Sequence, residues 1–305
     1  MDILLYGALI MAQLGLSVKQ YAMKHCGRLT PGAFNSVCIN MARSVICLIV
    51  SVIIWLMSGG GFTTLFGHVI IIVAAIGTAF NLFTWILSSR LVSLTLIESV
   101  SMIGSLVIPL ILAPYLYDGD SVSPLQWVGC ALIFLSMFFF MNKGEKKEGS
   151  LFNKIVVVTV CAVSITVASV FKKYYTYHIS AKGLGTIEYF TLINFVTVLA
   201  VFLVLFAIYS RPEKRRATLE GKSGIELPYK RVWVYILMAA VALYVNELFT
   251  SYASQLPSAI YYPLARGLSI GCTFLLDVMV FKDKVTVKKL IGLLIVIVAI
   301  VLVNL

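Results

Sequence analysis

The chain has 305 residues, of which 60% are hydrophobic and only 12% charged. No water-soluble domain could hide that much apolar surface, so the composition excludes a soluble globular protein and indicates an integral membrane protein. The formal net charge of +11 does not indicate nucleic acid, because the cations sit in loops beside apolar runs, with no interleaved aromatics and no binding motif.

Backbone polar groups cannot be left unpaired in lipid, so each run of about 20 apolar residues must be a helix. In chain order such runs predict ten transmembrane helices, over 3–24, 33–57, 66–89, 91–116, 123–141, 155–177, 187–209, 232–254, 257–281 and 287–304. The first run lacks the basic n-region and small-residue cleavage site of a signal peptide and is long enough to span, so it is read as a retained helix. The fold expected is an all-α integral membrane protein.

The chain reads as one unit written twice. A constant offset of 163 positions superposes Gly104 on Gly267, Asp120 on Asp283, Ser123 on Thr286 and Gly129 on Gly292. Upstream, Ala74, Ala75 and Asn81 recur 165 positions later as Ala239, Ala240 and Asn246, while Lys19 and Tyr21 recur after 153 as Lys172 and Tyr174. The units are 1–141 and 155–305, joined by a charged linker over 142–154. Five spans per unit is an odd number, so the second unit must enter the membrane from the opposite side, giving two inverted five-helix repeats. In a membrane chain this arrangement suggests a transporter with its site at the repeat interface, where helices are interrupted by Gly or Pro.

Orientation follows from the loop cations. Lys24, Arg28, Arg90, Lys143, Lys146, Lys147, Lys154, Arg211, Lys214, Arg215, Arg216, Lys222, Lys230, Arg231, Lys282, Lys284, Lys288 and Lys289 flank odd-numbered loops, against Lys172, Lys173 and Lys182 in the even-numbered ones. The positive-inside rule then puts odd loops in the cytoplasm and both termini outside. The stretch over 211–231 mixes both signs with Gly and Pro and reads as a solvated surface segment.

The fifth and tenth helices are apolar on every face and read as lipid-facing supports, which leaves the other four helices of each unit to enclose a pathway. Ionisable side chains inside spans are costly and by default indicate a pathway or a buried pair. The interior candidates are Lys19, Arg43, Glu98, Glu247, Arg266 and, nearer the surface, Asp277. The hairpin between the eighth and ninth helices can hold Glu247 and Arg266 at similar depth, about 13 Å in at ~1.5 Å per residue, where an ion pair can serve either structure or substrate. Lys19, Arg43 and Glu98 can neutralise one another or clasp a zwitterion.

Helix breakers cluster at corresponding places: Gly104, Pro109 and Pro114 in the fourth helix, Pro257, Pro263, Gly267 and Gly271 in the ninth, where free carbonyls or hinges are expected. Trp85, Tyr244, Tyr261 and Tyr262 suit an organic ligand with an apolar or cationic part, and interfacial anchoring is the alternative. Asn81 and Asn246 are placed to bind substrate or to join helices.

Catalytic arrangements are missing. His25, His68 and His178 are far apart in sequence, and no zinc-protease, nucleophile-elbow, phosphate-loop or dinucleotide motif is present. The six cysteines show no metal-ligand spacing and read as small packing residues. The chain is therefore expected to be no enzyme and to need neither cofactor nor metal.

On residues 91–139 and 255–302, with Arg43 early in the second helix, the chain resembles the ten-helix, EamA-like branch of the drug/metabolite transporter superfamily. The resemblance covers nearly the whole chain and rests on layout more than on a sharp motif. It implies a secondary carrier of amino acids, drugs or other metabolites, with a central cavity lined by helices one to four and six to nine. Many members carry a Gly-Glu pair before the fifth and tenth helices, where this chain has Asp118-Gly119-Asp120 and Lys282-Asp283-Lys284. Cytoplasmic termini are the usual assignment in that family, opposite to the loop charges here.

The function expected is alternating-access transport of a small polar or amphiphilic metabolite, with Glu98 and Glu247 as candidates for proton coupling. The partners are a small-molecule substrate and the lipid bilayer, with a homodimer left open and no nucleic acid. A lipid-linked carrier flippase or a non-transporting accessory subunit is the alternative. Short loops and the absence of targeting segments favour a bacterial inner membrane.

Overall fold

The structure is a computed structural model, and it describes residues 2–30, 32–91, 103–117, 122–140, 151–219, 227–279 and 286–303. Among these, ten α-helices follow one another: α1 Asp2–Leu29, α2 Ala33–Met57, α3 Leu65–Leu91, α4 Ile108–Leu116, α5 Pro124–Phe140, α6 Leu151–Tyr175, α7 Ile187–Leu219, α8 Tyr229–Ala253, α9 Ser258–Met279 and α10 Val287–Val303. A π-helical turn, Ile103–Val107, leads into α4, and another, Thr176–Ser180, extends α6. The chain is thus an all-α membrane protein, in which α1, α2, α3, α6, α7 and α8 each contain a stretch long and apolar enough to cross a bilayer. At 17 residues each, α5 and α10 are about 26 Å long by the helical rise.

The helices are strongly paired. The most extensive contacts join α1 to α8 and α3 to α6, followed by α5 with α10 and α2 with α7. Lipid supplies no hydrophobic drive for such pairing, so close van der Waals approach must do it, and small residues permit that approach. On α1, a Cβ added at Gly15 would lie 2.9 Å from the Ala242 carbonyl oxygen of α8. On α3, a Cβ at Gly77 would lie 2.9 Å from both the Ser164 oxygen and the Ala168 nitrogen of α6. Between α5 and α10 the same role falls to Gly129, whose Cβ would meet Val303 and the Ala299 oxygen at 2.6 and 3.0 Å. The supports are therefore two-faced: on α10, Gly292, Val296, Ala299 and Val303 are buried, while Leu294, Ile297 and Val301 stay exposed.

The direction of each helix follows from these contacts. Ala22, Met23 and Cys26 of α1 cluster with Val232, Ile236 and Ala239 of α8, whereas Ala8 and Leu9 cluster with Ala253 and Leu256, so the pair is antiparallel. Lys173, near the C-terminal end of α6, bonds the Leu256 carbonyl. The end of α6 thus lies beside the beginning of α1, and these two helices run in opposite directions.

Three expectations are corrected. First, Lys172 and Lys173 are inside α6, 8% and 1% exposed, and do not belong to a loop; a lysine at the end of an apolar run looks like a loop residue until its neighbours are known. Second, α7 runs through Pro212 to Leu219, about ten residues beyond the apolar run. Glu213, Lys214 and Arg215 are good helix formers, and Pro212 removes only one backbone donor, so the helix outlasts its hydrophobicity. Third, α9 is continuous across Pro263, Gly267 and Gly271; no break occurs there, and Pro257 precedes the helix.

Candidate functional site

A central cavity of about 170 Å³ lies among α1, α2, α3, the π turn before α4, α6, α8 and α9. Among the described residues, α5, α7 and α10 contribute nothing to its lining. Of the residues expected to bind substrate, Lys19, Arg43, Asn81, Trp85, Asn246, Glu247, Tyr261, Tyr262 and Arg266 all line it. Glu98 lies outside the described residues, as does the side chain of Asp277. Tyr244 is not brought to the cavity. It is buried in an apolar cluster of α2, α3, α7 and α8, its ring stacked on Phe195 at 6.2 Å and its hydroxyl without a partner.

The polar groups are arranged differently from a hairpin pair. Glu247 is bonded to Lys172 of α6 rather than to Arg266, and the Lys172 and Glu247 side chains are 10% and 12% exposed. Reading α8 and α9 as an isolated hairpin leaves out the third helix, whose lysine takes the carboxylate. The signal for Lys172 was the 153-residue offset from Lys19, which was already an interior candidate. Arg43 is 1% exposed; its Nη2 donates to Asn40 one turn earlier, and its Nε has no partner.

Neutral polar groups hold the frame. Asn246 donates through Nδ2 to the Ala12 carbonyl of α1 at 2.9 Å and to Thr250 Oγ1 at 3.3 Å, so it joins helices while its side chain borders the cavity. Asn81 reaches only as far as Cys161 Sγ, at 4.0 Å. Thr166 Oγ1 donates to the Gly104 carbonyl at 2.7 Å, satisfying backbone in the π turn. An interrupted helix leaves such carbonyls without regular partners, and a side chain on the facing helix supplies one.

Just beyond the cavity, toward the α6 C-terminus, lies a cluster of bonds around Lys173. Successive helical residues point about 100° apart, so while Lys172 faces the cavity, Lys173 turns toward the end of α8. Its Nζ donates to the Ser254 and Leu256 carbonyls at 3.1 and 2.5 Å and lies over the rings of Tyr117 and Tyr261, 5.2 and 5.6 Å from their centroids. Carbonyls at a helix C-terminus are unsatisfied and carry partial negative charge, which an ammonium group offsets. Tyr117 Oη donates to the Val170 carbonyl at 3.1 Å, and Ser254 Oγ donates to Thr176 Oγ1 at 2.9 Å. These bonds draw α4, α6, α8 and α9 together on one side of the cavity.

Fold and cavity together define an all-α membrane protein with a central polar chamber. No protein-family model matches the chain, and no curated protein sequence does. A solved structure, described only as the crystal structure of a protein, superposes with a TM-score of 0.67 over 97% of this chain and 94% of its own, at 12% identity. That likeness extends to the fold alone.

Proposed function

We propose that the protein is a secondary transporter of a small polar metabolite, built as two inverted five-helix repeats that alternate the exposure of the central cavity. The observation that carries this reading is the convergence of repeat-related residues on one chamber. Lys19 and Lys172, related by 153 positions, and Asn81 and Asn246, related by 165, line it from opposite units.

The helix pairing obeys the same symmetry. Exchanging each helix for its counterpart five places along turns the α1–α8 pair into α6–α3 and returns α2–α7 and α5–α10 to themselves, and these are the four major pairs. At the crossings the symmetry reaches single residues: Gly15 meets Ala242 and Gly77 meets Ala168, and the offsets of 153 and 165 carry one pair into the other. The opposed directions of α1 and α6 are those an inverted repeat requires. A binding site at the interface of inverted halves is the usual design of a secondary carrier.

On this reading all ten helices span the bilayer. The shortfall in apolarity of α9 has a local cause, since Tyr261, Tyr262 and Arg266 face the cavity. Moving Lys172 and Lys173 into α6 leaves Lys182 as the one cation of the even loops, which sharpens the asymmetry that places the odd loops in the cytoplasm, here of a bacterial cell. The EamA-like relation rests on the sequence layout. Proton coupling is assigned to Glu98 and Glu247: a proton taken by Glu247 would release Lys172, and neutralising both residues to Gln should abolish transport driven by a pH gradient. Transport that still follows the gradient would remove that assignment.

The test of the carrier reading is uptake by proteoliposomes holding the full chain, with labelled amino acids, phosphate esters, dicarboxylates and amines offered separately. Saturable uptake of a soluble compound, lost in Lys172→Met, is expected. Scrambling of a lipid-linked saccharide with no soluble uptake would favour the flippase alternative, and inertness toward both would favour an accessory subunit.

A further inference from the structure

The described charges around the cavity are mostly positive. Among the described lining residues are four cations, Lys19, Arg43, Lys172 and Arg266, and one carboxylate, Glu247. That carboxylate already holds Lys172. Of the other cations, Lys19 and Arg43 have no carboxylate bonded to them among the described residues. Lys19 has Arg43, Lys172 and Arg266 as charged neighbours and only Glu247 to offset them among the described residues.

Ionised groups within a membrane protein are paired with one another or mark the path of what they bind, because an uncompensated charge in a low dielectric is costly. The Asn40 amide that meets Arg43 is neutral and cannot supply a counter-charge. We infer that the occupant of this cavity is a small organic dianion, a phosphate monoester or a dicarboxylate, held between Lys19 and Arg43 with Arg266 across from them. This rests on the carrier reading for its passage, though not for its binding.

Three features fit that ligand class. A guanidinium presents a planar fork of donors that matches an oxyanion, and the buried Nε of Arg43 is a donor without a partner. The flat rings of Trp85, Tyr261 and Tyr262 on the cavity wall suit a short carbon skeleton. The volume of about 170 Å³ is near that of a cavity that holds one benzene and well below the several hundred Å³ of pockets for drug-sized ligands, which suits a short carbon skeleton better than a nucleotide-linked compound. A cationic substrate would meet the like charges of Lys19 and Arg43.

The test is binding to the detergent-purified full chain, followed by thermal unfolding and titration with inorganic phosphate, glycerol 3-phosphate and malate, against neutral glycerol and cationic putrescine. At least one of the three anions should raise the melting temperature saturably, and glycerol and putrescine should not. Lys19→Gln and Arg43→Gln should each weaken that anion's binding tenfold or more, while Lys19→Arg keeps it within about threefold. Since Arg43→Gln perturbs a buried site and its variant can fail to fold, Lys19→Gln, at a residue of the cavity wall that is more exposed than Arg43, carries the decision. Failure of all three anions to bind, preference for putrescine, or wild-type affinity in folded Lys19→Gln would overturn the inference. Anion binding without counterflow in proteoliposomes would leave the inference standing and remove the carrier reading. Counterflow of a zwitterion or cation with no anion binding would do the reverse.

Discussion

Lys172 and Glu247 show how the membrane changes the worth of a residue. A buried pair is weak evidence for stability, since well-packed apolar residues often do as well, but removing one partner strands the other. Glu247→Gln alone should therefore destabilise the protein by about 3–5 kcal/mol, read as a lowered melting temperature in detergent. The double replacement Lys172→Met with Glu247→Leu should recover most of the loss. Equal melting temperatures for the single and double variants would show that the pair is not a unit. The carboxylate was legible in the sequence because an acid in the middle of an apolar run is conspicuous. Its partner was not, because a lysine three residues from a helix end looks like a topological charge, and only the 153-residue offset to Lys19 marks it as interior. Tyr244 failed for the opposite reason: an aromatic in a span is as much at home against Phe195 in the core as in a binding site.

At the scale of the helix, the strongest constraints are the close crossings. Gly15→Leu and Gly77→Leu would drive a side chain into the backbone of α8 or α6, and each should cost about 1–3 kcal/mol by overpacking. Gly7→Leu, with nothing within 4 Å of its added Cβ, is the matching control and should unfold like the unmodified protein. If all three variants melt together, the crossings do not hold the pairs. The Lys173 cluster makes a separate prediction. Lys173→Met removes the donor that bonds the Ser254 and Leu256 carbonyls, and hydrogen exchange should quicken by about tenfold or more over 254–261, with little change over 12–19. Uniform exchange in both segments would assign no special role to the lysine. Helix positions were largely legible from apolar runs, since lipid leaves the backbone few options. Helix ends were less so: α7 continues to Leu219 on residues that favour helix without being apolar, and α9 passes Pro263 unbroken, giving up the one backbone bond that residue 263 would donate to Ala259.

For the whole molecule, the offsets that suggest a repeat were readable before any packing was known, because glycines and asparagines recur where backbones approach or interior polar groups are needed. Which helices touch was not readable, since offsets relate each helix to its counterpart and α1 packs on α8 instead. In the structure the bonds of Lys173, Tyr117 and Ser254 tie helices together on one side of the chamber, and on the carrier reading such ties would be exchanged for others on the opposite side. The most direct measurement is of distances on both sides in the same preparation: electron–electron resonance of the full chain in nanodiscs, with spin labels at Ser58 and Gln255 on the Lys173 side and at Lys214 and Met279 on the other. Two populations per pair are expected, with the longer distance on one side occurring under the conditions that give the shorter on the other, and a shift between them when a bound anion is added. A single unchanged distance on each side, with and without ligand, would contradict alternating access through this cavity.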